Sequence, residues 1–173
     1  DALRAMTVEG PLDGLVLDNR MNGGGSNTVL EPILGYFSGG VMGHFVSRQE
    51  ERPLTIRAND INGSQDVPLV VLVGSGSASF GEIFPGVLQD SGRAHIIGVT
   101  TDGNVEILWG YDFDDGSQVW IASETFRPYY HPEQNWEASG IIPDETVPGE
   151  FDENTLENDP PVIAAMTYFE SLP

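Results

Sequence analysis

The sequence contains no cysteine among its 173 residues, so disulfides, thiol nucleophiles and cysteine-ligated metals are excluded. Basic residues are scarce as well, since 7 Lys and Arg stand against 27 Asp and Glu, for a net charge of −20. A chain this acidic repels phosphate backbones and anionic lipids, so we expect no nucleic-acid partner. No apolar run approaches the roughly 20 residues that cross a bilayer.

The remaining composition, with 39% hydrophobic and 20% charged residues, is ordinary for one compact globular domain. No signal peptide is visible. The opening residues, DALRAM, look like the interior of a helix. We therefore expect residues 1–173 to form a single domain cut from a longer protein.

Short β-branched runs alternate with helical patterns along the chain. Buried strands are predicted in GLVLDNR (14–20), DVPLVVLVG (66–74) and HIIGV (95–99), and a weaker edge strand in PLTIRA (53–58). A strand–helix–strand order of this length is typical of a parallel βαβ unit. The segment 104–128 predicts a hairpin, because Asp-Gly in DFDDGS is a strong turn signal.

Two helical stripes accompany these strands. The clearer one follows the strand at 66–74 and consists of Phe80, Ile83, Phe84, Val87 and Leu88. The other consists of Val29, Ile33, Tyr36 and Phe37. A closing helix is predicted in PPVIAAMTYFESL, with Asp159 as its cap. Together the elements predict an α/β fold.

Ser79 stands between the strongest strand and the clearest helix. A serine at that point is commonly a helix N-cap. The same geometry also suits a nucleophile, because the free N–H groups of a helix N-terminus stabilise an oxyanion. Gly-x-Ser-x-Gly is not matched, since Ser77 stands where its first glycine belongs, and an α/β-hydrolase is disfavoured.

The segment NGGGSN (22–27) poses a similar choice. Three glycines after a strand allow backbone N–H groups to converge on an anion or a peptide carbonyl. Neither a P-loop nor a dinucleotide-binding spacing is present. Taken alone, the segment favours a glycine-rich turn over a binding loop.

Three stretches together resemble peptidase family S41, the C-terminal-processing or tail-specific proteases and their tricorn relatives. GLVLDNRMNGGG (14–25) is similar to the family's Asp-Leu-Arg segment with its following glycine pair. PLVVLVGSGSASFGEIFPGVLQDSGRAHIIGVTTDGN (68–104) is similar to the segment around the nucleophilic serine, and SGIIPDETVP (139–148) to the closing Gly-Ile-Pro-Asp motif. The resemblance implies a ClpP/crotonase-like core, with a mostly parallel sheet, helices packed on it and a C-terminal hairpin.

The resemblance assigns site residues by position. Ser79 matches the nucleophile, and the backbone N–H of Phe80 matches one oxyanion donor. A glycine of the NGGG turn matches the other, with Gly24 preferred and Gly25 close behind. Asp18, Arg20 and Arg93 match family positions that we interpret as structural.

The sequence departs from the family at the general base. Most members pair the serine with a lysine, but Asn104 occupies that position here, 25 residues after Ser79. An amide cannot accept a proton at useful pH, so a Ser–Lys mechanism is excluded. Tricorn-like members use a histidine and a glutamate instead, and Glu137, three residues before Gly140, matches that glutamate.

The histidine of the tricorn-like arrangement comes from a segment upstream of the core, before any PDZ-like domain. Of the local candidates, His95 is expected in the core, whereas His44 and His131 are placed on loops and are weak candidates for the base. We therefore expect the base to come from outside this chain.

The resemblance implies a serine peptidase that acts on peptides or unfolded proteins through an acyl-enzyme, with no metal or organic cofactor. It also implies upstream domains of the same parent chain and an extracytoplasmic location, and it leaves oligomerisation open. Two alternatives stay open: a catalytically silent peptide-binding module on the same fold, and an esterase.

Overall fold

The computed structural model describes residues 2–149, 151 and 155–173. Its helices are α1 (Ala2–Met6), α2 (Asn27–Gly35), α3 (Phe80–Asp90), α4 (Trp136–Ser139) and α5 (Pro160–Ser171). Its strands are β1 (Leu15–Asp18), β2 (Gly40–Val46), β3 (Glu51–Ile56), β4 (Leu69–Val73), β5 (His95–Gly98), β6 (Ile107–Asp112), β7 (Gln118–Pro128) and β8 (Glu145–Thr146). None of the described helices is long and apolar enough to cross a membrane.

Two four-stranded sheets form the domain. The first has the order β1-β4-β5-β8, and all its neighbouring strands are parallel. The second has the order β3-β2-β7-β6 and is antiparallel throughout. The predicted α/β fold, its parallel sheet and its hairpin are confirmed, but the sequence had not indicated that β2 and β3 join the hairpin in a separate sheet.

The main core lies between the two sheets. All five residues of β4 are buried, as expected for the central strand of a parallel sheet covered on both faces. Helix α3 packs between the sheets through Ile83, Val87 and Leu88, each at most 1% exposed. Phe45 of β2 meets it from the antiparallel side, with its ring 6.1 Å from that of Phe80. The core therefore holds the N-terminus of α3 at a fixed place between the sheets.

Helix α5 covers the other face of the parallel sheet and is tied to it by Arg20. Asp159 caps this helix and accepts hydrogen bonds from Arg20 at 2.7 and 3.1 Å, while Asp18 binds the same guanidinium at 2.6 Å. The hydrogen bonds that Arg20 donates to Asp18 raise the pKa of Arg20 above its ordinary value, and those that it donates to Asp159 add to the effect. Asp18 and Arg20 thus fix the end of β1 against α5.

Arg93 occupies a comparable structural position at the end of α3. Its guanidinium donates to the carbonyls of Phe37, Ser64 and Val67 at 2.8–3.0 Å. Burial lowers the pKa of Arg93. Arg93 therefore ties the turn before β5 to the segment that follows α2.

Three local predictions were wrong. His44 lies in β2 and not on a loop, because pairing with both β3 and β7 makes a strand of a glycine-containing segment. His95 opens β5 as predicted, but its ring lies at the core's edge, stacked on Tyr168 at 4.2 Å. In α2 the buried stripe is Leu30 and Leu34, while Val29 and Ile33 are exposed.

Candidate active site

Ser79 lies where the chain leaves β4, passes through a short turn and enters α3. Its backbone angles are φ 57° and ψ −129°, a region that glycine adopts readily and serine does not. Such strain is maintained only when the surroundings determine the conformation, and it is concentrated at functional sites. The Ser79 N–H donates to the carbonyl of Asn104 at 2.6 Å, which helps to hold this conformation.

The Ser79 hydroxyl is not a helix cap. It makes no capping hydrogen bond to the described backbone of α3, although Ser79 occupies the N-cap position. Neighbouring serines behave differently: the fully buried Ser77 donates to the carbonyl of Asn19 at 2.8 Å, and Ser91 to that of Val87 at 2.8 Å. Of these three serines, Ser79 is the one whose hydroxyl makes no structural hydrogen bond among the described residues.

The glycine-rich turn packs directly against Ser79. A β-carbon added to Gly24 would lie 2.7 Å from the Ser79 Cβ and 3.2 Å from its Oγ, and Gly24 has φ +111°. The same turn is joined to the start of α3, since the carbonyl of Asn22 accepts from the Ala78 N–H at 3.1 Å. Gly81 must also be glycine, because a β-carbon there would lie 2.0 Å from the Asn22 carbonyl oxygen.

Backbone N–H groups are available on both sides of the serine. Phe80 is the first residue of α3, and the first N–H groups of a helix have no acceptor within it. In the glycine turn, the Gly24 N–H donates to Asn22 Oδ1 at 3.1 Å, so this donor is already used. The Gly25 N–H has no such internal bond among the described residues. Phe80, Gly24 and Gly25 line the same cavity, and their roles as oxyanion donors stay predictions.

The buried carboxylate of Glu82 organises the loop that faces Ser79. Glu82 is 0% exposed, and its oxygens accept from the Thr101 hydroxyl and from the N–H groups of Gly103 and Asn104, both at 2.8 Å. Since the Asn104 carbonyl binds the Ser79 N–H, Glu82 determines the position of Ser79 through this loop. Sequence reasoning missed Glu82, because it stands opposite the apolar stripe of α3, where an acidic residue is expected to face solvent.

Glu137 binds the next part of the same loop. Its Oε2 accepts from the N–H groups of Val105 at 2.7 Å and Glu106 at 3.1 Å. These contacts are to backbone, and they fix the start of β6. The prediction that Glu137 orients a catalytic group stays a prediction.

The three histidines lie away from Ser79. His131 binds Asp90, the last residue of α3, which is about 15 Å along the helix from Phe80. His95 pairs with Val70 near the start of β4, whereas Ser79 follows its end. His44 points to the face of β2 opposite to Phe45, because successive side chains of a strand alternate.

Nothing basic replaces the family lysine. Asn104 is exposed, and all seven basic residues of the sequence are arginines. Arginine retains its proton in proteins and does not act as a base. The described residues therefore place Ser79 beside the glycine turn and the first N–H groups of α3, and no lysine stands at the position where most family members have one.

An apolar cavity of about 460 Å³ opens beside the glycine turn. Phe80 and Gly25 line its end nearest the serine, and side chains of α1, α2 and α3 complete it, among them Leu3, Ile33 and Phe84. Its volume and apolar lining are those of a ligand-sized recess.

The fold and this site define the class to which the chain belongs, peptidase family S41, whose sequence model matches residues 1–147. A carboxyl-terminal-processing protease of Synechocystis sp. is 32% identical over 147 residues, which is 84% of this chain and 33% of the relative. One from Picosynechococcus sp. is 40% identical over 85 residues, 49% of this chain and 20% of the relative. The chain thus spans about a fifth to a third of these relatives' length.

Solved structures show the same fold. The photosystem II D1 C-terminal processing protease superposes with a TM-score of 0.71 at 31% identity, over 84% of this chain and 37% of that one. The tricorn protease superposes with a TM-score of 0.59 at 19% identity, over 91% of this chain and 15% of that one. The second likeness is one of fold alone.

Proposed function

We propose that this chain is the catalytic core of a serine peptidase that cleaves peptide bonds through an acyl-enzyme at Ser79. The observation that carries the proposal is the conformation of Ser79. Ser79 has a strained backbone conformation, and its hydroxyl makes no capping hydrogen bond. It lies at the N-terminus of α3 and contacts a glycine turn that presents backbone N–H groups. Membership of family S41 supports the same reaction.

In the reaction, Ser79 Oγ attacks the scissile carbonyl carbon while its proton passes to a base. The oxyanion accepts hydrogen bonds from the Phe80 N–H and from the glycine turn. Gly25 is the better second donor, because the Gly24 N–H is bound to Asn22 Oδ1. Each such donor contributes about 3–4 kcal/mol in comparable sites. The amine then leaves with a proton, and water hydrolyses the acyl-enzyme.

The base is a histidine from a part of the protein outside residues 1–173. This is supported by the absence of lysine from the sequence and by the distance of all three histidines from Ser79. Upstream domains of the parent chain are the proposed source of that histidine. Glu137 then acts by fixing the Val105–Glu106 backbone and orienting the incoming group.

The substrate is a peptide or unfolded protein. The cavity beside Gly25 receives one of its apolar side chains. An extracytoplasmic location agrees with the acidic composition. A net charge of −20 favours solubility and disfavours binding to the polyanions of the cell interior.

The test is hydrolysis of an unstructured protein and of a small ester by the full-length gene product, with the Ser79→Ala variant as control. Cleavage of the protein substrate that is lost in Ser79→Ala supports the proposal. Ester turnover without proteolysis would make the site an esterase. Absence of both activities in a folded protein would leave the silent peptide-binding module as the explanation.

A further inference from the structure

The hairpin formed by β6 and β7 extends beyond the rest of the antiparallel sheet. Strand β2 pairs with β7 only from Thr125 to Pro128, whereas β6 pairs with it from Gln118 to Glu124. These seven residues of β7 span about 24 Å. We call residues 107–124 the arm.

Both faces of the arm carry exposed apolar side chains, and one face carries four of them. Trp109 lies opposite Ile121 and Tyr111 opposite Val119, so the four side chains share one face, and they are 37–56% exposed. The other face holds Leu108 and Trp120, and Trp120 covers Gly110, since a β-carbon there would lie 3.1 Å from its ring. An isolated two-stranded ribbon is marginally stable in water, and an exposed apolar face of this kind marks an interaction site.

Among the described strands, none pairs with the outer edge of the arm, and this edge starts close to Ser79. Strand β6 is the last strand of its sheet, so alternate N–H and C=O groups face away from β7 and can pair with an added strand. It begins at Ile107, three residues after Asn104, whose carbonyl binds the Ser79 N–H. Glu137 holds the intervening Val105 and Glu106 amides, so the edge has a fixed direction from the serine.

Charge selects the occupant of this surface. Residues 107–124 contain four carboxylates and no basic residue. Glu124 is neutralised by Arg52 at 2.7 Å, which leaves Asp112, Asp114 and Asp115 at the tip. A second copy of the chain would bring like charges together, whereas an extended polypeptide with apolar and basic side chains complements both the face and the tip.

We propose that the arm binds such a polypeptide as an added β-strand along β6, with its apolar side chains on the Trp109–Tyr111 face and its basic side chains near the tip. This rests on the proposed function in one respect, that the bound strand leads the substrate to Ser79. The arm thus determines substrate choice outside the catalytic site: unfolded, basic, apolar segments are captured, and acidic ones are excluded.

The test measures binding without cleavage. The probe is a labelled 12-residue peptide of alternating Val and Lys, titrated by fluorescence anisotropy at low salt into the full-length gene product carrying Ser79→Ala. We expect the double variant Trp109→Ser/Tyr111→Ser to weaken binding at least tenfold. Ile163→Ser/Met166→Ser, a double variant of comparably exposed side chains on α5 outside the arm, is the matched control and should change binding less than twofold. A peptide of alternating Val and Glu should bind at least tenfold more weakly.

Strand addition has its own readout. Two further probes carry N-methyl groups on alternate amide nitrogens, one on the odd-numbered and the other on the even-numbered residues. Binding should be abolished for the probe whose methylated amides face β6 and kept for the other probe. The proposal would be overturned if the two methylation patterns had equal effects, if the arm variant and the control variant bound the probe equally, or if no binding were seen at 1 mM. Sedimentation showing a dimer that is lost in Trp109→Ser/Tyr111→Ser would also overturn it, in favour of a second copy. Specific peptide binding without labelling of Ser79 in the full-length protein would contradict the proposed peptidase activity and would leave the proposal of a polypeptide-binding arm standing.

Discussion

Gly24→Ala is the substitution that tests the contact between the glycine turn and Ser79. The added β-carbon would lie 2.7 Å from the Ser79 Cβ and 3.1 Å from the Ala78 carbonyl oxygen. Carbon atoms in contact lie about 3.5–4.0 Å apart, so the turn and the serine must separate by roughly 1 Å. Gly24 also has φ +111°, which costs an L-residue a further 1–3 kcal/mol, approximately, in stability.

The expected loss of activity follows from this displacement. A shift of about 1 Å in a catalytic group costs roughly 10²-fold in rate. The assay is the second-order rate constant for fluorophosphonate modification of Ser79 in the full-length gene product, together with the free energy of unfolding in urea. We expect the rate to fall about a hundredfold while the protein stays folded.

Gly23→Ala is the matched control for Gly24→Ala. A β-carbon at Gly23 meets nothing within 4 Å, and its φ is not positive. The control should change stability by less than about 0.5 kcal/mol and leave the labelling rate within a factor of about two. Equal labelling rates for both variants would refute the reasoning, because the turn would then not support the reactive position of the serine.

Three further substitutions test the same site. Ser79→Gly should be more stable than Ser79→Ala by about 1 kcal/mol, or roughly 2–4 °C in Tm, because only glycine relieves the strained backbone; equal thermal melts would mean that no strain is stored. Glu82→Gln should cost about 1–3 kcal/mol and slow Ser79 labelling, because an amide NH₂ group would face backbone N–H donors; an unchanged urea midpoint and labelling rate would argue against it. Asn104→Lys should raise the labelling rate of the 173-residue chain about 10²-fold by supplying a base, with Asn104→Met as the control of similar length; no gain would show that position 104 does not reach the serine.

Much of this architecture follows from local sequence pattern. The five-residue apolar run of β4 and the stripe of α3 are strong signals, and the Asp-Gly turn identifies the hairpin. Ser79 and the glycine turn were assigned to one site through the family resemblance, and the structure supplies the physical reason, since they follow β4 and β1, which are parallel neighbours.

Other features depend on partners distant in sequence. β2 forms because β3 and β7 flank it, which a segment such as GGVMGHFV does not reveal by itself. The contacts of Glu82 become evident only when residues 101–104 are folded over the helix N-terminus. The exposure of Trp109 and Tyr111 could not be predicted from the sequence either. β-Branched and aromatic residues at period two predict a strand whether or not another part of the protein covers it.

The central claim concerns the reactivity of one hydroxyl, and it is tested most directly by mapping where a fluorophosphonate probe attaches. The full-length gene product is treated with the probe, digested and analysed by mass spectrometry. Our account predicts one modified residue, Ser79, at near-stoichiometric occupancy, with no modification of Ser77 or Ser91 and none at all in Ser79→Ala. Modification at another serine, or an unmodified Ser79 in protein that cleaves its substrate, would contradict it.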